Sequence, residues 1–93
     1  MKDDSREGKV TVEFFGPFRV FGKGLELDLE GEVTYQEFLE MLVAVLGSDF
    51  RERAEKKNTT IIINKKVIDL ETASGTTIRP GDRVAFALLV GGG

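Results

Sequence analysis

Residues 9–15, KVTVEFF, alternate strictly: Val10, Val12 and Phe14 fall on one side, and Thr11, Glu13 and Phe15 on the other. That is the period of a half-buried strand. Residues 25–30, LELDLE, alternate again, with Leu25, Leu27 and Leu29 on one face and acids on the other. The two segments predict an antiparallel hairpin, broken at GPF (16–18) and joined through a glycine-containing connection. At VTYQEF (33–38) the pattern changes. Thr34 fits an N-cap, Glu37 three residues later completes a capping box, and Val33 with Phe38 fits a hydrophobic staple. Phe38, Leu39, Leu42, Val45 and Leu46 then recur at helical spacing, and Gly47 suits the stop. Residues 49–56 predict a second, short and charged helix, and RERAEKK (51–57) reads as its solvated face. TTIII (59–63) is β-branched throughout and reads as a strand, which Asn64-Lys65-Lys66 turns into a short partner holding Val67 and Ile68. ETASGTTIRPGD (71–82) reads as loop, and its RPGD is a turn: Pro80 presets φ and Gly81 permits positive φ.

The last strand, RVAFALL (83–89), is apolar on both sides, with Val84, Phe86 and Leu88 facing one way and Ala85, Ala87 and Leu89 the other. Such a strand sits centrally in a sheet. A single helix covers one sheet face only, so the opposite face must meet a partner or stay an exposed apolar patch. Hairpin, crossover helix, short hairpin and final strand together give an α+β domain. It is a mixed sheet of about five strands with one main helix across one face, the β-grasp (ubiquitin-like) arrangement. Residues 9–90 are expected to form that domain, residues 1–8 a disordered polar lead-in, and residues 91–93 a flexible glycine tail.

Composition narrows the function by exclusion. A net charge of -3 and a pI near 5.0 offer no basic surface for nucleic acid. No apolar run is long enough to cross a bilayer, and the polar start MKDDSREG lacks the character of a signal peptide. These features predict a cytoplasmic protein with no membrane partner. The chain has no Cys and no His, which removes disulfides, thiolate chemistry, zinc sites of the usual kind and imidazole acid–base catalysis. DLEGE (28–32) lacks the ligand spacing of a calcium loop, so no metal site is expected. Self-contained catalysis is therefore not expected.

The sequence ends on ALLVGGG (87–93). A glycine-rich end alone reads as a frayed terminus. Here it follows directly on the final strand of a β-grasp pattern. FFGPFR (14–19), the Thr-capped helix, IIIN (61–64) and PGDRVAFALLVGGG (80–93) together resemble the MoaD/ThiS group of ubiquitin-like sulfur carriers. The nearer resemblance, over residues 9–93, is to the small subunit of molybdopterin synthase, acting in molybdenum cofactor biosynthesis. It implies that Gly93 supplies the reactive carboxylate, that Gly92 and Gly93 match the family's diglycine, and that Gly91 falls where the family varies. An E1-like adenylyltransferase (MoeB/ThiF-like) would adenylate Gly93 with ATP and Mg2+, and sulfur would then replace AMP to give a thiocarboxylate. The acceptor would be a molybdopterin synthase large subunit (MoaE-like) or another sulfur acceptor enzyme, and the chain itself would hold no cofactor. The resemblance also implies partner contacts at Phe15, Arg19, Ile61, Ala87, Leu89 and Val90, on the sheet face away from the helix.

The implied chemistry suits the residues. A carboxylate is a poor acyl donor until a mixed anhydride gives it a leaving group. Glycines let a tail enter a narrow slot between two backbones. Transfer to thiamine thiazole or to tRNA stays open as the pathway. So does a protein modifier joined to lysines, and so does a binding module with no terminal chemistry.

Overall fold

The computed structural model of the chain describes residues 8–56 and 59–88. Five strands form one sheet: β1 (Lys9–Phe14), β2 (Gly24–Asp28), β4 (Thr59–Ile63), β5 (Lys66–Ile68) and β7 (Arg83–Leu88), in the order β2-β1-β7-β4-β5. β1 and β7 run parallel, and every other neighbouring pair is antiparallel. β3 (Val33–Thr34) and β6 (Thr77–Ile78) pair separately. The main helix α1 (Tyr35–Leu46) lies on one face of the sheet, followed by α2 (Ser48–Ala54) and the single turn α3 (Leu70–Ala73). This is the mixed sheet and crossover helix that the alternation predicts, with β7 in the central position.

The core sits between that face and the helices. Val10, Val12 and Phe14 from β1 join Val84 and Phe86 from β7 and meet Phe38, Leu39 and Leu42 of α1. The capping box is complete: the Glu37 amide donates to Thr34 Oγ1 at 3.0 Å, and the Thr34 amide donates to Glu37 Oε1 at 3.0 Å. Gly47 closes the helix with φ 100, a conformation that a side chain resists.

Two stretches hold more structure than their sequence suggests. The connection after β1 is a 3-10 helix, Gly16–Phe21, opened by Pro17. It folds Phe18 fully into the core and leaves Phe21 half-buried. There they meet Phe50 of α2, whose ring lies 5.1 Å from Phe86 and 5.3 Å from Phe21. The aromatic pull of Phe18 and Phe21 turns an apparent strand breaker into a packed element. The segment expected to be loop after residue 70 contains α3 and β6. The Asp69 carboxylate caps α3 by accepting from the Thr72 amide at 2.8 Å, and the Tyr35 amide donates to the Thr76 carbonyl at 2.9 Å. Just before β1, the Gly8 carbonyl accepts from the Leu29 amide at 2.7 Å.

Gly24, at the start of β2, has no room for a side chain. A Cβ there would run into the Val12 carbonyl oxygen and stand 3.3 Å from Glu13 Cα. Both are backbone atoms of the paired strand, which cannot step aside without breaking the ladder. Gly24→Ala is expected to cost ~1–3 kcal/mol, read as a lowered denaturant midpoint; an unchanged midpoint would show that β1 and β2 separate freely here.

The open sheet face beside the terminal strand

β7 is held on both sides. Phe14 of β1 pairs with Phe86, and Thr59 of β4 pairs with Leu88, so the described end of β7 lies between two neighbours. Leu88 is half-buried against the core. The expected reactive and contact residues Leu89, Val90, Gly91, Gly92 and Gly93 lie outside the described residues.

The face away from α1 is fixed by register. Glu13, Ala85, Ile62 and Val67 form one row across β1, β7, β4 and β5. Thr60 stands beside Ala87 in the next row, and the Phe15 amide donates to the Phe86 carbonyl at 3.0 Å, extending the β1 ladder. Phe15 is 41% exposed, a high value for a phenylalanine. Val67 at the β5 edge is 68% exposed. At the far end of the strip, Arg83 Nη1 pairs with Glu13 Oε2 at 3.3 Å. The result is a shallow strip, apolar along its middle and floored by two alanines, which suits contact with another protein more than enclosure of a small molecule.

Of the expected contacts, Phe15 and Ala87 lie on this open side. Arg19 lies at its end: its Nε donates to the Phe14 carbonyl at 2.8 Å, which fixes the guanidinium beside the point where Phe15 begins the open face. Ile61 does not. It pairs with Phe86 and Ile68, faces α1 and is 0% exposed. That corrects the expectation for Ile61: the residue is core, and its neighbour Ile62, half-buried in the row with Ala85, occupies the open side. Three consecutive isoleucines carry no alternation, so only the pairing with β7 reveals which of them turns inward.

Several charged groups serve the scaffold. The hydrogen bond from Lys9 and the attraction of Asp28 raise the Lys9 pKa; Arg51 lowers that of Glu40, and the Thr72 amide lowers that of Asp69. No group of three or more His, Cys, Asp or Glu side chains able to hold a metal occurs among the described residues. No helix among them is long and apolar enough to cross a membrane.

Tyr35 is the exception to good polar pairing. Its hydroxyl is buried and bonds to nothing among the described residues, beside a cleft of about 180 Å³ lined by Gln36, Glu55 and Ser74 among others. Burial, and secondarily the Glu55 charge, pushes its ionisation well above the ordinary phenol range. An unpaired buried hydroxyl costs stability, so Tyr35→Phe is expected to leave the melting temperature unchanged or raise it. A clear fall would mean that the hydroxyl is bonded in solution.

A β-grasp domain with one helix-covered face, one open face and a central final strand is a ubiquitin-like protein in class. The chain belongs to the ThiS family, whose model matches residues 12–93; these are ubiquitin-like sulfur carriers and modifiers. In solved structures the fold recurs in the HVO 2177 protein of Haloferax volcanii, with TM-score 0.71 and 20% identity over 95% of this chain and 89% of that one. It recurs in SAMP1 from Haloferax volcanii, with TM-score 0.69 and 19% identity over 92% and 100% of the two chains. A thiamine biosynthesis protein (ThiS) from Geobacter metallireducens is similar too, with TM-score 0.53 and 24% identity over 89% and 99%. No curated protein sequence matches the chain.

Proposed function

We infer that the chain is a sulfur carrier working at Gly93. The observation that carries this reading is the family match, which runs from β1 to residue 93 and so takes in the glycine tail as well as the domain. An E1-like adenylyltransferase uses ATP and Mg2+ to join AMP to the Gly93 carboxylate, releasing pyrophosphate. A sulfur nucleophile then displaces AMP, and the thiocarboxylate is left on the chain. The carrier docks through the open face, with Phe15, Ile62 and Ala87 as the apolar contacts and Arg19, Leu89 and Val90 at its margin, while Gly91 and Gly92 carry the carboxylate into the partner's slot. The proposed pathway is molybdopterin synthesis, where the chain is the small subunit beside a MoaE-like large subunit.

A second reading, sulfur donation to thiamine thiazole, is favoured by the ThiS family model and by the likeness to the Geobacter metallireducens thiamine biosynthesis protein. The two readings share the activation step and part at the acceptor.

ATP–pyrophosphate exchange by the activating enzyme tests the shared step. Exchange should depend on the chain and should fall at least ~10-fold with Ala87→Asp, since a carboxylate placed in a desolvated contact costs more than ~1.4 kcal/mol. Circular dichroism of the variant should match the parent, because Ala87 is on the open face. Exchange that ignores both the chain and the substitution would overturn the reading.

A further inference from the structure

The acidic total of -3 conceals an uneven distribution of charge. Lys9, Arg51, Arg79 and Arg83 are each engaged by a carboxylate. Arg19, Lys23, Arg53 and Lys56 form no ion pair among the described residues, and all four are tied to the end of the sheet at the Leu88 end of β7. The Phe14 carbonyl accepts from Arg19 Nε at 2.8 Å, and the Phe14 amide donates to the Lys23 carbonyl at 3.0 Å. Phe14 pairs with Phe86. On the other flank, Thr59 pairs with Leu88; its amide donates to the Lys56 carbonyl at 3.0 Å and its hydroxyl to the Arg53 carbonyl at 2.7 Å. The Arg53 guanidinium lies 6.0 Å from the centre of the Phe21 ring, which holds it against the same 3-10 helix that carries Arg19. Of the three carboxylates on α2 and at its end, Asp49, Glu52 and Glu55, the last is taken up by Arg51 at 3.6 Å, leaving Asp49 and Glu52. Four cations thus stand around the Leu88 end of β7, with two carboxylates of α2, Asp49 and Glu52, outside any ion pair among the described residues.

The geometry points to a basic collar around the exit of β7 that docks on a carboxylate-rich rim surrounding the slot of the activating partner. This inference rests on the carrier reading above and adds the chemistry of the partner's surface. Hydrogen bonds fix the backbone of Lys23, Arg53 and Lys56 to the scaffold, and the Arg19 and Arg53 guanidinium groups are held by the Phe14 carbonyl and the Phe21 ring, so the collar's place on the sheet is set before encounter. Complementary charge at the rim would speed association and set the approach so that the tail points at the slot. A second group of cations without ion pairs among the described residues, Lys65 and Lys66, sits at the β4–β5 turn beside Ile63, which pairs with Val84 at the opposite end of β7. It supplies a control of equal charge.

Stopped-flow association of the full chain with the adenylyltransferase that activates it tests the collar. The double variant Lys23→Glu, Lys56→Glu is expected to associate ~10-fold more slowly at low ionic strength, with the difference closing as salt screens the charges. Lys65→Glu, Lys66→Glu changes net charge equally and should stay within ~2-fold of the parent. Equal rates for parent and collar variant, or equal slowing by both double variants, would overturn the inference. Loss of binding to a single-stranded RNA probe in the collar variant, with association to the enzyme unchanged, would overturn it in favour of a nucleic acid. A parent chain that the enzyme never adenylates would fail the carrier reading itself, and that result is distinct from an adenylated chain whose collar does not matter.

Discussion

Removing Gly92 and Gly93 abolishes adenylate and thiocarboxylate formation and leaves the melting temperature within about 1–2 °C of the parent. Both halves of this expected result follow from where the tail attaches. The last described residue, Leu88, is half-buried and still paired with Thr59, so the core is closed before the glycines begin. The deleted residues bring no side chains that could pack. Their loss is therefore expected to cost the fold little, while the carboxylate that the enzyme must reach ends two residues short of its slot. Two residues of extended chain are ~7 Å, more than ten times the ~0.5 Å tolerance within which reacting groups must be held. Parallel melting curves and pyrophosphate exchange would check it; exchange that persists in the truncated chain would separate the activity from the diglycine.

The second large effect is on stability. Phe86→Ala removes the ring that meets Phe14, Phe18 and Phe50 at centroid distances of 6.4, 5.8 and 5.1 Å. The ring is fully buried in the central strand, where neighbours on both sides and a helix above prevent collapse into the void. Truncation of a buried Phe costs ~3–5 kcal/mol, against a total of roughly 5–15 kcal/mol for a small domain. The melting temperature should fall by roughly 15–30 °C. A fall of only a few degrees would mean that the aromatic cluster is loosely packed. Val45→Ala, at a helix position 60% exposed, should change the melting temperature little and serves as the comparison.

These two predictions draw on different depths of the sequence. The placement of Phe86 was legible: alternation in RVAFALL put it with Val84 and Leu88, and the same rule put Val10, Val12 and Phe14 beneath the helix. The capping box at Thr34 and Glu37 was legible because its spacing is a direct backbone requirement. Local rules also covered Gly47 and Gly81, whose φ values of 100 and 96 need glycine. What was not legible depended on contacts far apart in sequence. Phe18 and Phe21 follow a proline and read as a break, and only Phe50 and Phe86 explain why that break winds into a 3-10 helix. Ile61 and Ile62 are indistinguishable by composition, and the β7 register decides between them. The basic collar was hidden for a related reason. Its members span residues 19–56, and a net charge of -3 gives no hint that they gather at one end.

The register correction also sharpens the docking account. With Ile61 in the core and Ile62 on the open side, Ile62→Asp should weaken partner binding without unfolding the chain, whereas Ile61→Asp places a charge at a fully buried position and should unfold it. The two neighbouring substitutions, compared by circular dichroism and by binding, read the facing of β4 directly.

The central claim is that Gly93 is the atom-bearing end of a sulfur transfer. Its most direct test is the intact mass of the full chain after incubation with the activating enzyme, ATP, Mg2+ and a sulfur donor. The account predicts exchange of one oxygen for sulfur, confined by fragmentation to Gly93 and absent when ATP is withheld. A chain that stays at its original mass, or that appears only joined to lysines through Gly93, would contradict it.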